Sequence, residues 1–136
     1  MTKIIKLYNK MHKHYTKKHK RRALFYQKLI RFLFNCELPC GVVMGSGTEL
    51  MHGGLGIVIH QKAVIGSNCK IYQHVTIAGS SDGGVPVVGN NVLIGTGAFL
   101  MGDIKIGDNA KIGAHTVVLT DVPPGKTIVG QKGKIL

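Results

Sequence analysis

A period of six residues governs the second part of this chain and restricts its fold more than any other feature. Aliphatic residues recur at every sixth position in two runs: Ile59, Ile65, Ile71 and Ile77, then Val88, Ile94, Leu100, Ile106, Ile112 and Val118. A smaller residue often stands two positions earlier: Ala63, Cys69, Val75, Val92, Ala98, Ile104, Ala110 and Thr116. This period matches neither the 3.6 residues of a helical turn nor the alternation of a simple strand. A short fixed repeat is typical of a β-solenoid.

The repeat predicts a prism with three flat faces, in which each repeat supplies one short strand and one tight turn. The aliphatic residue of each repeat points inward and stacks on its counterparts in neighbouring coils, of which we expect about five. The predicted fold class is therefore mainly β, a hexapeptide-repeat solenoid. Two segments break the repeat, HGGLG at residues 52–56 and AGSSDGGVPV at residues 78–87. We expect the function to lie at these breaks.

A strongly basic segment precedes the repeat. Residues 1–35 contain eleven Lys and Arg side chains and no Asp or Glu, whereas the rest of the chain carries seven basic and six acidic side chains. The net charge of +12 is therefore concentrated in the first quarter of the chain. All nineteen glycines lie at or after Gly41. We divide the chain into a short basic α-helical arm, residues 1–37, and a solenoid domain, residues 38–136.

Apolar spacing in the arm predicts one or two helices with a polar break within residues 16–22. One helical face carries Ile4, Tyr8, Met11 and Tyr15, and a second carries Leu24, Phe25, Leu29, Ile30, Leu33 and Phe34. The basic cluster KKHKRR at residues 17–22 is typical of a solvated helical face, and it also suits contact with an anionic membrane surface. Nucleic acid is a poorer partner, because no aromatic-interleaved nucleic-acid motif accompanies the charge.

Other features disfavour several classes of protein. The N-terminus lacks the long apolar run of a secretory signal, and the apolar stretch near residues 29–34 is too short to span a bilayer. Three cysteines, Cys36, Cys40 and Cys69, show no CxxC spacing, which disfavours a zinc site or a disulfide framework. We expect a cytoplasmic protein without a bound metal, with peripheral contact at the inner face of the membrane as a further option.

The chain resembles the serine acetyltransferase branch of the hexapeptide acyltransferases over about residues 32–136. The resemblance runs through MGSGTELMHGGLGIVIH, AVIGSNCKIYQHVTIAG, VGNNVLIGTGAFLMGDIKIGDNAKIGAHTVV and DVPPGKTIVG. Its most specific parts are the spacing of His52 after Gly45-Ser-Gly47 and the QxVTI motif at residues 73–77. The resemblance implies a left-handed parallel β-helix, a homotrimer with active sites between adjacent subunits, and acetyl-CoA as the co-substrate in a groove beside the coils.

The resemblance also assigns roles to individual residues. His52 matches the catalytic histidine of the family, and Glu37 falls where a carboxylate often partners that histidine, with Glu49 as the reserve. The positions matched to the CoA groove are Gly79, Ser80, Thr96, Gly97, Lys111, Ala114 and Lys132. Of these, the two lysines lie toward the nucleotide end of the groove, where they would meet CoA phosphates.

Acetyl transfer from a thioester to an alcohol needs few groups, and the first break in the repeat offers them. A base with a pKa near 7 must accept the hydroxyl proton during attack, and histidine suits this role. A carboxylate such as that of Glu37 would fix the tautomer of the His52 ring. Backbone N–H groups of the glycine-rich break would stabilise the oxyanion. We place His74 and Gly54 beside the acceptor, and we expect direct transfer without a covalent intermediate.

Departures from the family pattern leave the acceptor open. Met51 stands where the family carries an aspartate, and Gly84 and Val85 stand before Pro86 where the family carries the Arg-His pair that reads the carboxylate of serine. Glycines at this loop are expected to leave room for a bulkier, neutral group. We therefore expect a sugar hydroxyl in capsule, exopolysaccharide or O-antigen synthesis as the acceptor. The alternatives are L-serine acetylation and, from another class, a non-catalytic solenoid scaffold.

Overall fold

Two helices form the first part of the molecule. The computed structural model describes residues 1–130 and residue 135. Helix α1 spans Lys3–Thr16 and helix α2 spans Lys20–Phe34, so the break lies within the predicted range. The left-handed backbone of Lys18, with a φ of +60°, separates the two helices. The prediction of a helical arm is confirmed.

Short strands make up the rest of the described chain. In the described residues they are β1 (Val43–Met44), β2 (Glu49–Leu50), β3 (Val58–Ile59), β4 (Val64–Ile65), β5 (Lys70–Ile71), β6 (Thr76–Ala78), β7 (Val87–Val88), β8 (Leu93–Ile94), β9 (Phe99–Met101), β10 (Lys105–Ile106), β11 (Lys111–Ile112), β12 (Val117–Val118) and β13 (Thr127–Ile128). Each strand has only two or three residues, as expected when a turn follows every repeat.

The strands form three parallel sheets, one for each face of the prism. Sheet A contains β3, β6, β9 and β12; sheet B contains β1, β4, β7 and β10; sheet C contains β2, β5, β8, β11 and β13. The chain visits the sheets in the fixed order B, C, A, so every strand pairs with the strand one coil away. The mainly β, parallel solenoid is confirmed, and it is consistent with the left-handed β-helix that the resemblance implies.

The core of the prism is the column of residues that the period selects. All ten aliphatic residues of the two runs are buried, and so are the eight smaller residues that precede them by two positions. Burying one such aliphatic side chain stabilises the fold by about 1.5–3 kcal/mol. Because each coil repeats the same environment, one inward position per repeat is sufficient to build a continuous core.

Asparagine and glycine form the corner between sheets B and C. Asn68, Asn91 and Asn109 all have φ values between +56° and +61°, and Gly47 and Gly125 hold the same conformation at the two ends of this column. Asparagine and glycine enter the left-handed region more readily than other residues. Each turn also hydrogen-bonds to the turn one coil earlier, for example from the N–H of Asn91 to the carbonyl of Ser67 (2.8 Å).

The arm is docked on the first coil and belongs to the same core. Ile4, Tyr8, Met11 and Ile30 join the buried cluster of the solenoid. The backbone of Glu37 already pairs with β3, so strand pairing begins at this residue. The boundary at residues 37 and 38 stays a prediction.

A single hydroxyl group ties α1 to the edge of sheet B. The hydroxyl of Tyr8 donates to the carbonyl of Val42 (3.1 Å) and accepts the N–H of Met44 (2.9 Å). These two backbone groups point away from β4 and would otherwise lack a strand partner. Burial raises the pKa of the Tyr8 hydroxyl above its ordinary value, so the group stays protonated and can donate.

The second predicted apolar face of the arm is only partly buried. Ile30 lies in the core, whereas Leu24, Phe25 and Leu33 are exposed. The helix turns Ala23 and Ile30 inward, and its opposite side therefore faces outward. Neither helix in the part of the chain that the structure describes is long and apolar enough to cross a membrane.

Candidate active site

One corner of the prism collects most of the predicted site residues. The turns between sheets C and A, here called the C–A corner, comprise residues 52–56, 73–74, 96–97 and 114–115. Backbone hydrogen bonds link each turn to the turn one coil earlier. The N–H of His74 donates to the carbonyl of Leu55 (2.9 Å), the N–H of Gly97 to the carbonyl of Gln73 (3.0 Å), and the N–H of His115 to the carbonyl of Thr96 (2.8 Å). His52, His74, Thr96, Gly97 and Ala114 therefore occupy one column along the solenoid.

His52 lies at the first turn of this corner, with its side chain exposed. It belongs to the short helical turn Met51–Gly54, where its φ of +52° and ψ of +34° are left-handed. The ring centroids of His52 and Tyr72 are 6.2 Å apart, with their planes tilted by 54°. A substrate that approaches the corner can therefore reach the imidazole.

Helix α1 supports the turn of His52 from below. Gly54 is buried, and a Cβ atom there would lie 2.8 Å from Cδ1 of Ile4 and 3.3 Å from Sγ of Cys36. Its φ of +78° also favours glycine. Packing against the arm thus explains this glycine, and its predicted place beside the acceptor stays a prediction.

Glu37 lies on the face that begins at the C–A corner. Its N–H donates to the carbonyl of Ile57 (2.8 Å), and its carbonyl accepts the N–H of Ile59 (3.0 Å). It thereby continues sheet A beyond β3, in register with Val58. The outward column of this sheet runs Glu37, Val58, Thr76, Phe99 and Val117. Glu37 and the turn of His52 are therefore both at the first-coil end of sheet A.

Sequence analysis missed Arg31, which helix α2 brings to Glu37. The guanidinium forms an ion pair with Oε2 of the Glu37 carboxylate. The solenoid has no arginine, and the basic arm was expected to form a solvated face or a membrane contact and no part of the site. Arg31 precedes Glu37 by six residues in the sequence. This spacing indicates a contact between the two side chains only when the helix is known to end at Phe34.

The Arg31–Glu37 pair and His52 border two adjoining depressions. One is lined by Gln27, Lys28, Arg31, Phe32 and Glu37. The other is lined by Phe32, Leu33, Phe34, Asn35, His52, Gly53 and Leu55. Because Phe32 lines both, the two depressions meet at this side chain. The arm therefore forms one wall of the region around the predicted base.

The loop of residues 78–87 lies at the opposite edge of sheet A, between β6 and β7. A backbone hydrogen bond closes the loop, from the N–H of Ser80 to the carbonyl of Gly84 (2.9 Å). The hydroxyl of Ser80 donates to the carboxylate of Asp82, and this bond, with the N–H of Gly84, lowers the pKa of Asp82. Gly79 packs beside His60, whose Cδ2 would lie 3.2 Å from a Cβ at this position.

The expected room at this loop exists only in part. Nothing lies within 4 Å of a Cβ built at Gly83. At Gly84, however, a Cβ would lie 2.6 Å from the backbone nitrogen of Asp103. The expectation of open space is therefore wrong for Gly84, since the next coil approaches it closely and leaves no room for a side chain.

The remaining predicted residues occupy varied places. Lys111 is exposed on β11 of sheet C, three residues before the Ala114 turn. Lys132 lies outside the described residues.

Cys36 and Cys69 are buried, and burial raises the pKa of both thiols, that of Cys36 to about 12. Within residues 1–130 and at residue 135, no group of three or more His, Cys, Asp or Glu side chains is placed to hold a metal ion.

Comparisons with known proteins agree with this architecture. The family model "Bacterial transferase hexapeptide (six repeats)" matches residues 86–120. A serine acetyltransferase of Synechococcus elongatus is 42% identical over 111 residues, which is 79% of this chain and 45% of that protein. One from Helicobacter pylori strain 26695 is 40% identical over 125 residues, which is 87% of this chain and 72% of that protein.

Solved structures of serine acetyltransferases share the fold. The Neisseria gonorrhoeae enzyme in complex with serine is 37% identical with a TM-score of 0.86, covering 97% of this chain and 55% of that one. A serine acetyltransferase in complex with CoA is 33% identical with a TM-score of 0.86, over 98% of this chain and 55% of that one. This chain thus spans about half the length of several of these proteins.

The Helicobacter pylori relative is matched over most of its own length. At 40% identity over 72% of that protein, this chain belongs to the serine acetyltransferase family of hexapeptide-repeat transferases.

Proposed function

We propose that this chain transfers the acetyl group of acetyl-CoA to the hydroxyl of L-serine. The observation that carries the proposal is the placement of an exposed His52 and of Glu37 at the same end of sheet A, in a chain of the serine acetyltransferase family. His52 acts as the general base, and Glu37 orients it. Oε2 of Glu37 meets Arg31, and we assign the other carboxylate oxygen to a ring N–H of His52.

The proposed reaction is a direct transfer. His52 accepts the proton of the serine hydroxyl while the oxygen attacks the carbonyl carbon of the thioester. The tetrahedral intermediate then collapses, the C–S bond breaks, and the imidazolium returns the proton to the departing CoA thiolate. The products are O-acetylserine and CoA. The high pKa of the buried Cys36 and Cys69 thiols agrees with a route that uses no cysteine nucleophile.

L-serine replaces the sugar acceptor as our main proposal. The relatives are named serine acetyltransferases, one neighbour was solved with serine, and no comparison supports a sugar acceptor. The sequence argument rested on the lack of a cation to meet a carboxylate, and Arg31 now supplies a candidate. A guanidinium has five N–H donors, so pairing with Glu37 leaves donors for the carboxylate of serine.

Sheet A lies between two groups of predicted CoA-contacting residues, and its outward surface suits an extended cofactor arm. The outward column of sheet A is mostly apolar, with Val58 44% and Val117 61% exposed. Thr96, Gly97 and Ala114 border it at the C–A corner, and Gly79 and Ser80 border it at the opposite edge. We propose that the pantetheine arm of acetyl-CoA follows this face, with Lys111 near the phosphates.

We also propose a homotrimer. Sheet B carries an outward column of exposed valines, Val43, Val64 and Val87, in register over three coils. Sheet C instead presents Glu49, Lys70, Leu93, Lys111 and Thr127. Contiguous apolar columns on a solvent-exposed surface are typical of an interface. Localisation in the cytoplasm stays a prediction.

The proposal is tested by measuring CoA release from acetyl-CoA with L-serine and, separately, with a panel of nucleotide sugars. We expect turnover with L-serine that requires His52, and little with the sugars. Turnover with a sugar and none with serine would restore the original acceptor prediction. Absence of turnover with every acceptor, together with no rise in melting temperature on adding CoA, would indicate the scaffold instead.

A further inference from the structure

We propose that helix α2 docks this protein on an anionic lipid surface through its outer side, opposite the buried Ala23 and Ile30. This outer face of α2 consists of Arg21, Leu24, Phe25, Lys28 and Phe32. The inference does not rest on the acetyl transfer proposed above, although Lys28 and Phe32 of this face also line the depression beside Glu37.

The geometry of the helix separates the outer face from the core. Ala23 and Ile30 are fully buried and seven residues apart, which places them on one side of α2. Phe25 and Phe32 each follow one of them by two positions, a rotation of about 200° at 100° per residue. Phe25 is 61% and Phe32 86% exposed, so both rings point into solvent.

These rings form part of a wider apolar surface on the same helix. Leu24 is 47% exposed and precedes Phe32 by eight residues, so it lies on the same side of α2. Large apolar side chains in such a group are unusual on a surface that remains in water.

Basic side chains lie among the exposed rings. Leu24, Lys28 and Phe32 are spaced by four residues, so Lys28 lies between two apolar side chains of the same row. Arg21 precedes Phe25 by four residues and occupies the neighbouring row. Long basic side chains can lay their methylene stems along an apolar layer and keep their charge at its surface. Phe and Leu interleaved with Lys and Arg are typical of a helix that lies in a membrane interface.

Charge complementarity favours a lipid surface over a second copy of this chain. Residues 1–35 carry eleven basic side chains and no acidic one. The whole chain has only six acidic side chains against eighteen basic ones. A second copy thus offers few carboxylates to this face.

An anionic bilayer offers both a negative charge for the basic side chains and an apolar layer for the phenyl rings. Its acidic headgroups meet Arg21 and Lys28, and its acyl boundary accepts Phe25 and Phe32. Nucleic acid would supply phosphates but no apolar layer for two exposed phenyl rings. The lipid surface is therefore the occupant that matches both parts of the face.

The test is co-sedimentation of the full chain with vesicles. We expect binding to vesicles of phosphatidylcholine mixed with phosphatidylglycerol, weak binding to pure phosphatidylcholine, and a loss of binding as salt is raised. The double variant Phe25→Gln, Phe32→Gln should lower the partition coefficient at least about tenfold. Lys28→Gln should lower it about fivefold, the effect of one basic residue near an anionic surface.

Leu119→Gln is the matched control, since it removes an exposed apolar side chain (56% exposed) from the last coils of the solenoid. It should bind vesicles like the unaltered protein. Thermal unfolding monitored by circular dichroism verifies that each variant is folded, and the single variant Phe25→Gln serves if the double variant is not.

Four results would overturn the proposal. The first is that the unaltered protein does not sediment with the anionic vesicles. The second is that the phenylalanine variants bind them as well as the unaltered protein does. The third is that these variants form smaller oligomers in light scattering while vesicle binding is unchanged, which would assign the outer face of α2 to a contact between copies. The fourth is that a duplex oligonucleotide displaces the unaltered protein and the phenylalanine variants from the vesicles equally well, which would assign the basic side chains to nucleic acid.

Discussion

His52 holds a backbone conformation that few residue types adopt. Its φ of +52° and ψ of +34° are typical of glycine and asparagine, and three asparagines hold a similar conformation at the corner between sheets B and C. For a residue with an ordinary Cβ this region costs about 1–2 kcal/mol, and asparagine tolerates it better. A substitution at this position therefore changes two properties at once, the base and the turn.

Comparison of His52→Asn with His52→Ala separates these two properties. We expect both variants to lower kcat by about 10²–10⁴-fold, because each removes the general base. The asparagine variant should exceed the alanine variant in unfolding free energy by about 1 kcal/mol, since asparagine fits the left-handed turn. Turnover with L-serine and urea unfolding measure the two effects. Near-normal turnover in the asparagine variant would show that His52 is not the base.

Arg31 should influence the acceptor and not the cofactor. Arg31→Gln removes a charge-assisted contact to the serine carboxylate and should raise KM for L-serine about 10–100-fold, with KM for acetyl-CoA unchanged. Arg21→Gln is the matched control, because it removes one guanidinium from the same helix at a residue that lines neither depression. Steady-state kinetics with each substrate varied in turn provide the measurement.

Other kinetic effects of Arg31→Gln would assign a different role to Arg31. A fall in kcat with an unchanged KM for serine would make it a positioning residue that acts through Glu37. Equal changes in both Michaelis constants would point to a general disturbance of the site, and neither result would support recognition of a carboxylate.

Helix α1 should contribute to stability through one hydroxyl. In Tyr8→Phe the carbonyl of Val42 and the N–H of Met44 lose their partner in a buried place. We expect a loss of about 1–3 kcal/mol of unfolding free energy. Tyr15→Phe is the control, since Tyr15 is 43% exposed on the same helix, and its effect should stay within about 0.5 kcal/mol.

Urea denaturation measures both tyrosine variants. The midpoint should fall for Tyr8→Phe without a change in the slope, because the surface exposed on unfolding stays nearly the same. Equal midpoints for the two variants would mean that water replaces the hydroxyl at the edge of sheet B.

The strands and helices show what the sequence could predict. The period of six identified ten inward aliphatic positions, because each coil repeats one environment and a single rule serves them all. The helical break was also predicted, since it depends on local composition. These features need no information on how distant segments meet.

Contacts between distant segments were not predictable in the same way. Apolar spacing marked Ile4 and Tyr8 as one helical face but could not name the first coil as its partner. The close approach at Gly84 depends on Asp103, one coil away, and the ion pair at Glu37 depends on how α2 docks. In the candidate site, His52 and Thr96 were assigned from the family pattern, whereas Arg31 emerged only from the packing of the arm.

The assembly can be tested by disturbing one face of the prism. Light scattering should give three times the mass of the single chain. Val64→Lys places a charge in the middle of the exposed valine column of sheet B, and it should shift the protein to smaller species. Lys70→Gln, on sheet C of the same coil, should leave the mass unchanged. A monomer at micromolar concentration in the unaltered protein would remove the proposed trimer.

The docking of α1 over the first coil bears on polymerisation as well as on stability. A parallel solenoid ends in open strand edges, and an open edge can accept the edge of another molecule. Tyr8 closes this route at β1 by occupying Val42 and Met44, the two groups that an incoming strand would use. At sheet B the arm thus blocks the strand edge against the addition of a further coil.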